Sequence, residues 1–280
     1  MYVFVNSLKA SKEEVFELLK AAEAKPQDVE ALCGIKMFGC IRVEEAAVLN
    51  KPEIKEAMAL GKLLITDSAS QAVATRAMMQ YEHPKTMLEV CAGRGNKTIM
   101  FQSLAKQMWG SQLELTVMDN VEQKIKVLRE RVKRYGSNLE RYIVADASSK
   151  TAFEREIGKQ LFDQVFVDAP CSGLGTLRRH PELKWRLTKQ KVSQLADTSF
   201  KILTNAAQHV VEGGTLTYAT CTVTKAENEE VVERFLKSPT GQNFKLVPFT
   251  HEDKQIPYFR TQTFSGLNDS HFSATFKRVN

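Results

Sequence analysis

A chain of 280 residues, 43% hydrophobic and 26% charged, can bury a full core as one large domain or as a large domain with a small partner. No stretch approaches the roughly 20 uninterrupted apolar residues of a membrane span, and Met1 to Asn6 lacks the basic-then-apolar layout of a secretory signal. A monomeric, cytoplasmic protein without membrane attachment is therefore expected. The 39 Lys+Arg against 33 Asp+Glu give a net charge of +6, which leans toward a polyanionic partner. Cys33, Cys40, Cys91, Cys171 and Cys221 show no pair at the spacing of a zinc knuckle or redox dithiol, so neither a disulfide framework nor a metal site is expected.

The alternating apolar run Tyr2 to Val5 predicts a strand, and Ser11 with Glu14 forms a capping-box start for a helix through Leu19. Val29 to Val43 is strand-rich. Residues 1–75 read as a small amino-terminal α/β lobe. From Thr86 the pattern repeats as apolar run, turn and helical stretch: Met87 to Cys91 then Lys97 to Met108; Leu113 to Met118 then Val121 to Tyr135; Tyr142 to Ala145 then Lys150 to Gln160. Gln164 to Val167 follows, then a long helix near Lys189 to Val211, a strand at Thr215 to Tyr218, a helix with Thr224 and Glu227 as a second capping box, and a closing strand at Phe272 to Lys277. Such alternation predicts a Rossmann-like α/β domain over residues 76–280, with a parallel sheet and ligands beyond the carboxyl ends of its strands.

The first strand end gives Cys91-Ala92-Gly93-Arg94-Gly95-Asn96-Lys97, a small-residue turn leading into a helix, where a ligand can approach the backbone. The second ends at Asp119, whose carboxylate can accept from both ribose hydroxyls, and the third at Asp146, toward an adenine. Together these predict an adenosyl ligand, with S-adenosylmethionine and a nicotinamide dinucleotide both open. The fourth and fifth ends each place a cysteine just past the strand: Asp168-Ala169-Pro170-Cys171 and Ala219-Thr220-Cys221. If those strands are neighbours, roughly 4.8 Å apart, both thiols face the cofactor crevice.

A single free cysteine is ordinarily a small buried hydrophobe, and Cys33 and Cys40 are read that way. The pair suits chemistry. A thiolate adding at C6 of cytosine turns the ring into an enamine whose C5 can attack a sulfonium methyl group. A carboxyl group at N3, here Asp168, would stabilise the developing charge, and a second thiol, its pKa drawn down by a cation such as Lys97, would serve as base in the elimination. A dehydrogenase gives these thiols no role.

These residues resemble the NOL1/NOP2/Sun (RsmB-like) family of RNA cytosine-C5 methyltransferases. Asp168 to Thr176 with Arg178-Arg179-His180-Pro181-Glu182-Leu183-Lys184-Trp185 is similar to the family's fourth motif, and Tyr218-Ala219-Thr220-Cys221-Thr222 to its sixth. The resemblance covers the whole chain, from Phe4-Val5-Asn6 and Glu13-Glu14-Val15 through Gly61 to Ser70 to His271-Phe272-Ser273-Ala274. It implies that Cys221 attacks C6, that Cys171 assists product release, and that Asp168 sits at the cytosine and near S-adenosylmethionine. The first motif departs from the family's Asp-x-Cys-Ala-Ala-Pro-Gly-Gly-Lys-Thr at Glu89, Gly93, Arg94 and Asn96.

Arg178, Arg179, His180, Lys184, Trp185 and Arg186, continued by Lys189 and Lys191, form a basic run with one aromatic, suited to phosphates and a stacked base in single-stranded RNA. With the small lobe forming an RNA groove, a cytosine flipped from structured RNA is the expected substrate, ribosomal first and transfer RNA second on family breadth. Some relatives carry further RNA-binding domains; this chain runs from the small lobe to the closing strand, which leaves substrate choice to that body or to a partner. Two alternatives stand beside this reading: Cys171 as the nucleophile, and a non-catalytic RNA-binding scaffold.

Overall fold

A computed structural model describes residues 1–252, 254–261 and 268–280. The amino-terminal lobe runs β1 (Tyr2–Val5), α1 (Lys12–Ala21), β2 (Pro26–Asp28), β3 (Ala31–Leu32), β4 (Ile35–Lys36), β5 (Cys40–Val43), α2 (Pro52–Ala59), β6 (Leu63–Ile65) and α3 (Ser68–Met78). Its four-stranded sheet has the order β2-β5-β1-β6 and is antiparallel throughout. Ser11 caps α1 as expected, its Oγ accepting from the Glu14 amide at 3.1 Å.

The larger body runs β7 (Thr86–Val90), α4 (Asn96–Trp109), β8 (Glu114–Asp119), α5 (Glu122–Tyr135), β9 (Arg141–Val144), α6 (Lys150–Ile157), β10 (Phe162–Asp168), α7 (Leu183–Arg186), α8 (Lys189–Ala207), β11 (Val210–Thr220) and α9 (Glu229–Leu236). It ends with β12 (Phe244–Val247), β13 (Phe249–His251), β14 (Lys254–Ile256), β15 (Phe259–Arg260) and β16 (Phe272–Arg278). The sheet order is β12-β16-β11-β10-β7-β8-β9, parallel from β11 to β9 and antiparallel around β16, with β15 also paired to β16. This is the Rossmann-like α/β arrangement predicted, and β10 and β11, the cysteine-bearing strands, are direct neighbours.

Three expectations shift. The long helix stops at Ala207, and Val210 and Val211 belong to β11; their apolar pattern continues that of the helix, but β-branched residues fit a pleated strand better. The late strand β16 does not close an edge, because β12 lies beyond it. Thr224 and Glu227 do bond each other, yet they form a turn, and α9 starts at Glu229.

The lobe boundary at residue 75 falls inside α3, where every residue but Ser70 is buried. One face of the large sheet shares a core with the lobe, so that Tyr2, Phe4 and Leu64 pack in one cluster with Val73, Phe101 and Phe166. The opposite face is covered by a second cluster that includes Phe153, Leu203 and Phe235. Asn6 fastens lobe to body: its buried amide donates to the Gly61 and Tyr135 carbonyls at 2.8 and 2.7 Å. Asn6→Ala leaves those acceptors without their donor and is expected to cost about 2 kcal/mol, read as a lower urea midpoint at unchanged slope.

Candidate active site

Beyond the carboxyl end of β7 the chain turns through Cys91, held at φ +63°, and Gly93, at φ +60°. The Gly93 amide donates to Asp119 Oδ2 at 2.9 Å, and Asp119 Oδ1 accepts from the Val121 amide at 3.0 Å. A Cβ built on Gly93 would meet only the loop's own Cys91 carbonyl, at 4.0 Å, so the space over the turn is open for a ligand. Asp119 is buried, and its carboxylate is bonded to the loop. Asp146 makes a tight turn at the end of β9, its Oδ1 accepting from Ser148 N and Oγ.

The departures in the first motif have visible consequences. The side chains of Arg94 and Asn96 are exposed, and Arg131 of α5 ties the loop by donating to the Arg94 carbonyl at 2.8 Å and to Asn96 Oδ1 at 2.6 Å. Glu89 lies beneath the loop, fully buried, with Thr98 Oγ1 donating to it at 2.5 Å. Burial pushes its carboxyl up to about 8, so at neutral pH it is largely a protonated, uncharged group.

Lys97, buried in the first turn of α4, reaches Asp168 Oδ2 at 2.7 Å. Cys171 and Cys221 face each other at 3.5 Å between sulfurs. Their protonation is divided. The hydrogen bond from Cys171 lowers the Cys221 pKa, against burial and the Asp168 charge and with help from Lys97. The same contact, with burial and the Cys221 charge, pushes Cys171 well up. The expectation that Lys97 would activate Cys171 is thus reversed: the cation favours the Cys221 thiolate.

Sequence reasoning missed the group that holds this pair. Glu227, buried at the turn before α9, accepts from Ser172 N and Ser172 Oγ, both at 2.6 Å, from Thr222 Oγ1 at 3.0 Å and from Thr224 Oγ1 at 2.7 Å. It therefore grips the residue after each cysteine. Gly175 packs a third segment against both: its amide donates to the Cys221 carbonyl at 2.9 Å, and a Cβ there would lie 2.0 Å from the Ser270 carbonyl oxygen.

The basic run divides. Arg178 pairs with Asp67 at 3.1 Å and Asp269 at 3.3 Å, and Arg179 pairs with Asp269 through Nε at 2.8 Å. His180 stands 3.4 Å from Glu182, while α7 presents Lys184, Arg186 and Trp185, the last 81% exposed. Arg178, Arg179, Lys97, Asp168, Cys221, Asp67 and His271 line one cavity of about 530 Å³ between lobe and body. Among the described residues no cluster of metal-ligating side chains occurs, and no helix is long and apolar enough to cross a membrane.

The sequence profile of the 16S rRNA methyltransferase RsmB/F family matches residues 76–276. The chain belongs to that family. A probable ribosomal RNA small subunit methyltransferase B of Bacillus subtilis (strain 168) is 33% identical over 236 residues, covering 83% of this chain and 48% of that protein. The ribosomal RNA small subunit methyltransferase B of Klebsiella pneumoniae (strain 342) is 29% identical over 242 residues, covering 84% and 50%. The chain thus spans about half the length of these relatives. The crystal structure of PH0851 superposes with a TM-score of 0.83 at 26% identity over 99% of this chain and 59% of that one. NSun6 from Pyrococcus horikoshii with SFG shares the fold, with a TM-score of 0.74 at 18% identity over 100% of this chain and 90% of that one. The cofactor of this RsmB/F chain is S-adenosylmethionine, and the open glycine turn backed by Asp119 fits it.

Alkylation of Cys221 by iodoacetamide, followed against pH by mass spectrometry, tests the division of protons. Both Cys171→Ala and Lys97→Met move its midpoint to higher pH, since each removes a group that favours the thiolate.

Proposed function

We propose that this protein methylates C5 of a cytosine in structured RNA, ribosomal RNA of the small subunit first, through a covalent bond from Cys221 to C6. The observation that carries the reading is the pair of sulfurs 3.5 Å apart beside the Lys97–Asp168 ion pair, with Cys221 on the wall of a cavity that the cofactor loop adjoins through Asn96 and Lys97. The choice of RNA follows the relatives, which are ribosomal RNA small subunit methyltransferases B by name.

The derivation follows from the charges. Cys221, favoured as thiolate, adds to C6; Asp168, held in place by Lys97, faces the ring to steady the proton that N3 takes up from water. The cofactor supplies an electrophilic methyl group to the C5 that this addition makes nucleophilic. Bonding to carbon removes the negative charge of Cys221, and with it a main cause of the raised Cys171 pKa. Cys171 can then give its proton to water, take the C5 proton, and let the C6–S bond break, which returns the Cys221 thiolate as N3 gives its proton back to water. Both faces of the ring are used, so the base must leave its stack. Residues 1–75 would form the groove that receives the RNA, with Lys184, Trp185 and Arg186 beyond the pocket mouth and Arg178 and Arg179 held at its wall.

Two experiments test this. With RNA from cells lacking the gene, Cys221→Ala should lose methyl transfer and form no protein–RNA adduct, while Cys171→Ala should accumulate one, seen on a denaturing gel. An adduct that survives the loss of Cys221 would sink the assignment in favour of Cys171 as nucleophile; no methyl transfer by the unaltered protein would favour the scaffold. In parallel, Trp185→Ala should weaken RNA binding by about 1–3 kcal/mol if the indole stacks a base, measured by filter binding at fixed salt.

A further inference from the structure

His271 occupies the pocket wall without a part in the chemistry above. Its main chain is pinned, the amide donating to Thr261 Oγ1 at 2.8 Å and the carbonyl accepting from the Thr261 amide at 3.0 Å. The neighbouring Phe272 is turned into the core, and the Ser270 amide donates to the Gly175 carbonyl at 2.9 Å, so the ring has little freedom to move. The residue is 6% exposed and lines the same cavity as Lys97, Asp168, Cys221 and Arg179. Its Nδ1 is enclosed by protein and has no hydrogen-bond partner, so a ligand in the cavity can reach the polar edge of the ring only at the other nitrogen, Nε2.

We propose that the His271 imidazole hydrogen-bonds the target cytosine, as a third polar contact beside Lys97 and Asp168. The proposal rests on the reading of this cavity as the cytosine site. Cytosine offers two kinds of group on its pairing edge: O2 and N3 accept, and the N4 amino group donates. The Lys97 ammonium can only donate and the Asp168 carboxylate can only accept. A neutral imidazole does both, one nitrogen donating and the other accepting. Burial, with the charges of Lys97 and Arg179, holds the ring neutral by pulling its pKa down to about 3. Neutrality has a chemical consequence, because an imidazolium would set a further positive charge against a ring that gains a proton at N3 during attack. The contact therefore orients the base without opposing its activation.

Two variants with opposite hydrogen-bonding capacity test this. Phenylalanine fills the ring's volume with no polar atom, whereas glutamine places an amide atom close to where Nε2 stands. Methyl incorporation is measured on RNA extracted from cells lacking the gene, with kcat and KM separated and the thermal midpoint of each variant recorded. His271→Phe should lower kcat/KM about tenfold, as loss of one hydrogen bond in a buried site does, and His271→Gln should recover most of that loss. Wild-type kcat/KM in His271→Phe overturns the proposal. Equal losses in both variants that track a fall in thermal midpoint also overturn it, since they show a packing role. Methyl transfer by the unaltered protein separates these results from failure of the underlying reading, which would appear as no transfer at all and would remove both.

Discussion

The strand ends that carry Cys171 and Cys221 leave the sheet side by side, and beyond the last ladder hydrogen bond nothing in a parallel pair keeps them together. Glu227 does so. Its carboxylate takes four hydrogen bonds, two from Ser172 and two from the threonines that follow Cys221. A buried carboxylate is tolerated only when donors surround it, and here those donors are the loops themselves, so satisfying the acid and aligning the thiols are one event. Asn228 extends the staple, accepting from Thr220 Oγ1 and donating to the Thr222 carbonyl.

Alignment at this distance makes the two sulfurs unequal. Neither thiol can ionise without affecting the other, and both Lys97 and Arg179 interact with the charge of Cys221. The pair behaves as one acid with a preferred site for its charge. On the proposed reading, the cysteine that attacks is the one that already carries the charge in the ground state. Lys97 also binds Asp168, so the residue that biases the thiols is the one that places the carboxylate.

Much of this was legible in the sequence. The alternation of apolar runs and helices gave the parallel sheet, and the glycine turn, Asp119, Asp168 and both cysteines stood at strand ends because such sheets expose their loops there. What escaped was non-local. Thr224 and Glu227 have the spacing of a capping box, a local signal, but the acid's bond to Ser172 spans 55 residues and leaves no local trace. Arg178 and Arg179 read as free cations because Asp67 lies more than a hundred residues earlier and Asp269 about ninety later. The short strands β12 to β15 have too few residues for a period to show, and the core shared across α3 is invisible to any reading that draws a boundary at residue 75.

The position of β16 bears on how the molecule is made. Its neighbours β11 and β12 are both synthesised first, yet β16 lies between them, so until residue 278 has emerged they bracket an unfilled slot. That late strand brings with it Asp269, the partner of Arg178 and Arg179, and the Ser270 segment that locks against Gly175. A growing chain can carry both cysteines on finished strands and still lack the wall of the pocket. The geometry delays assembly of the reactive thiols' enclosure until translation of the domain is nearly over.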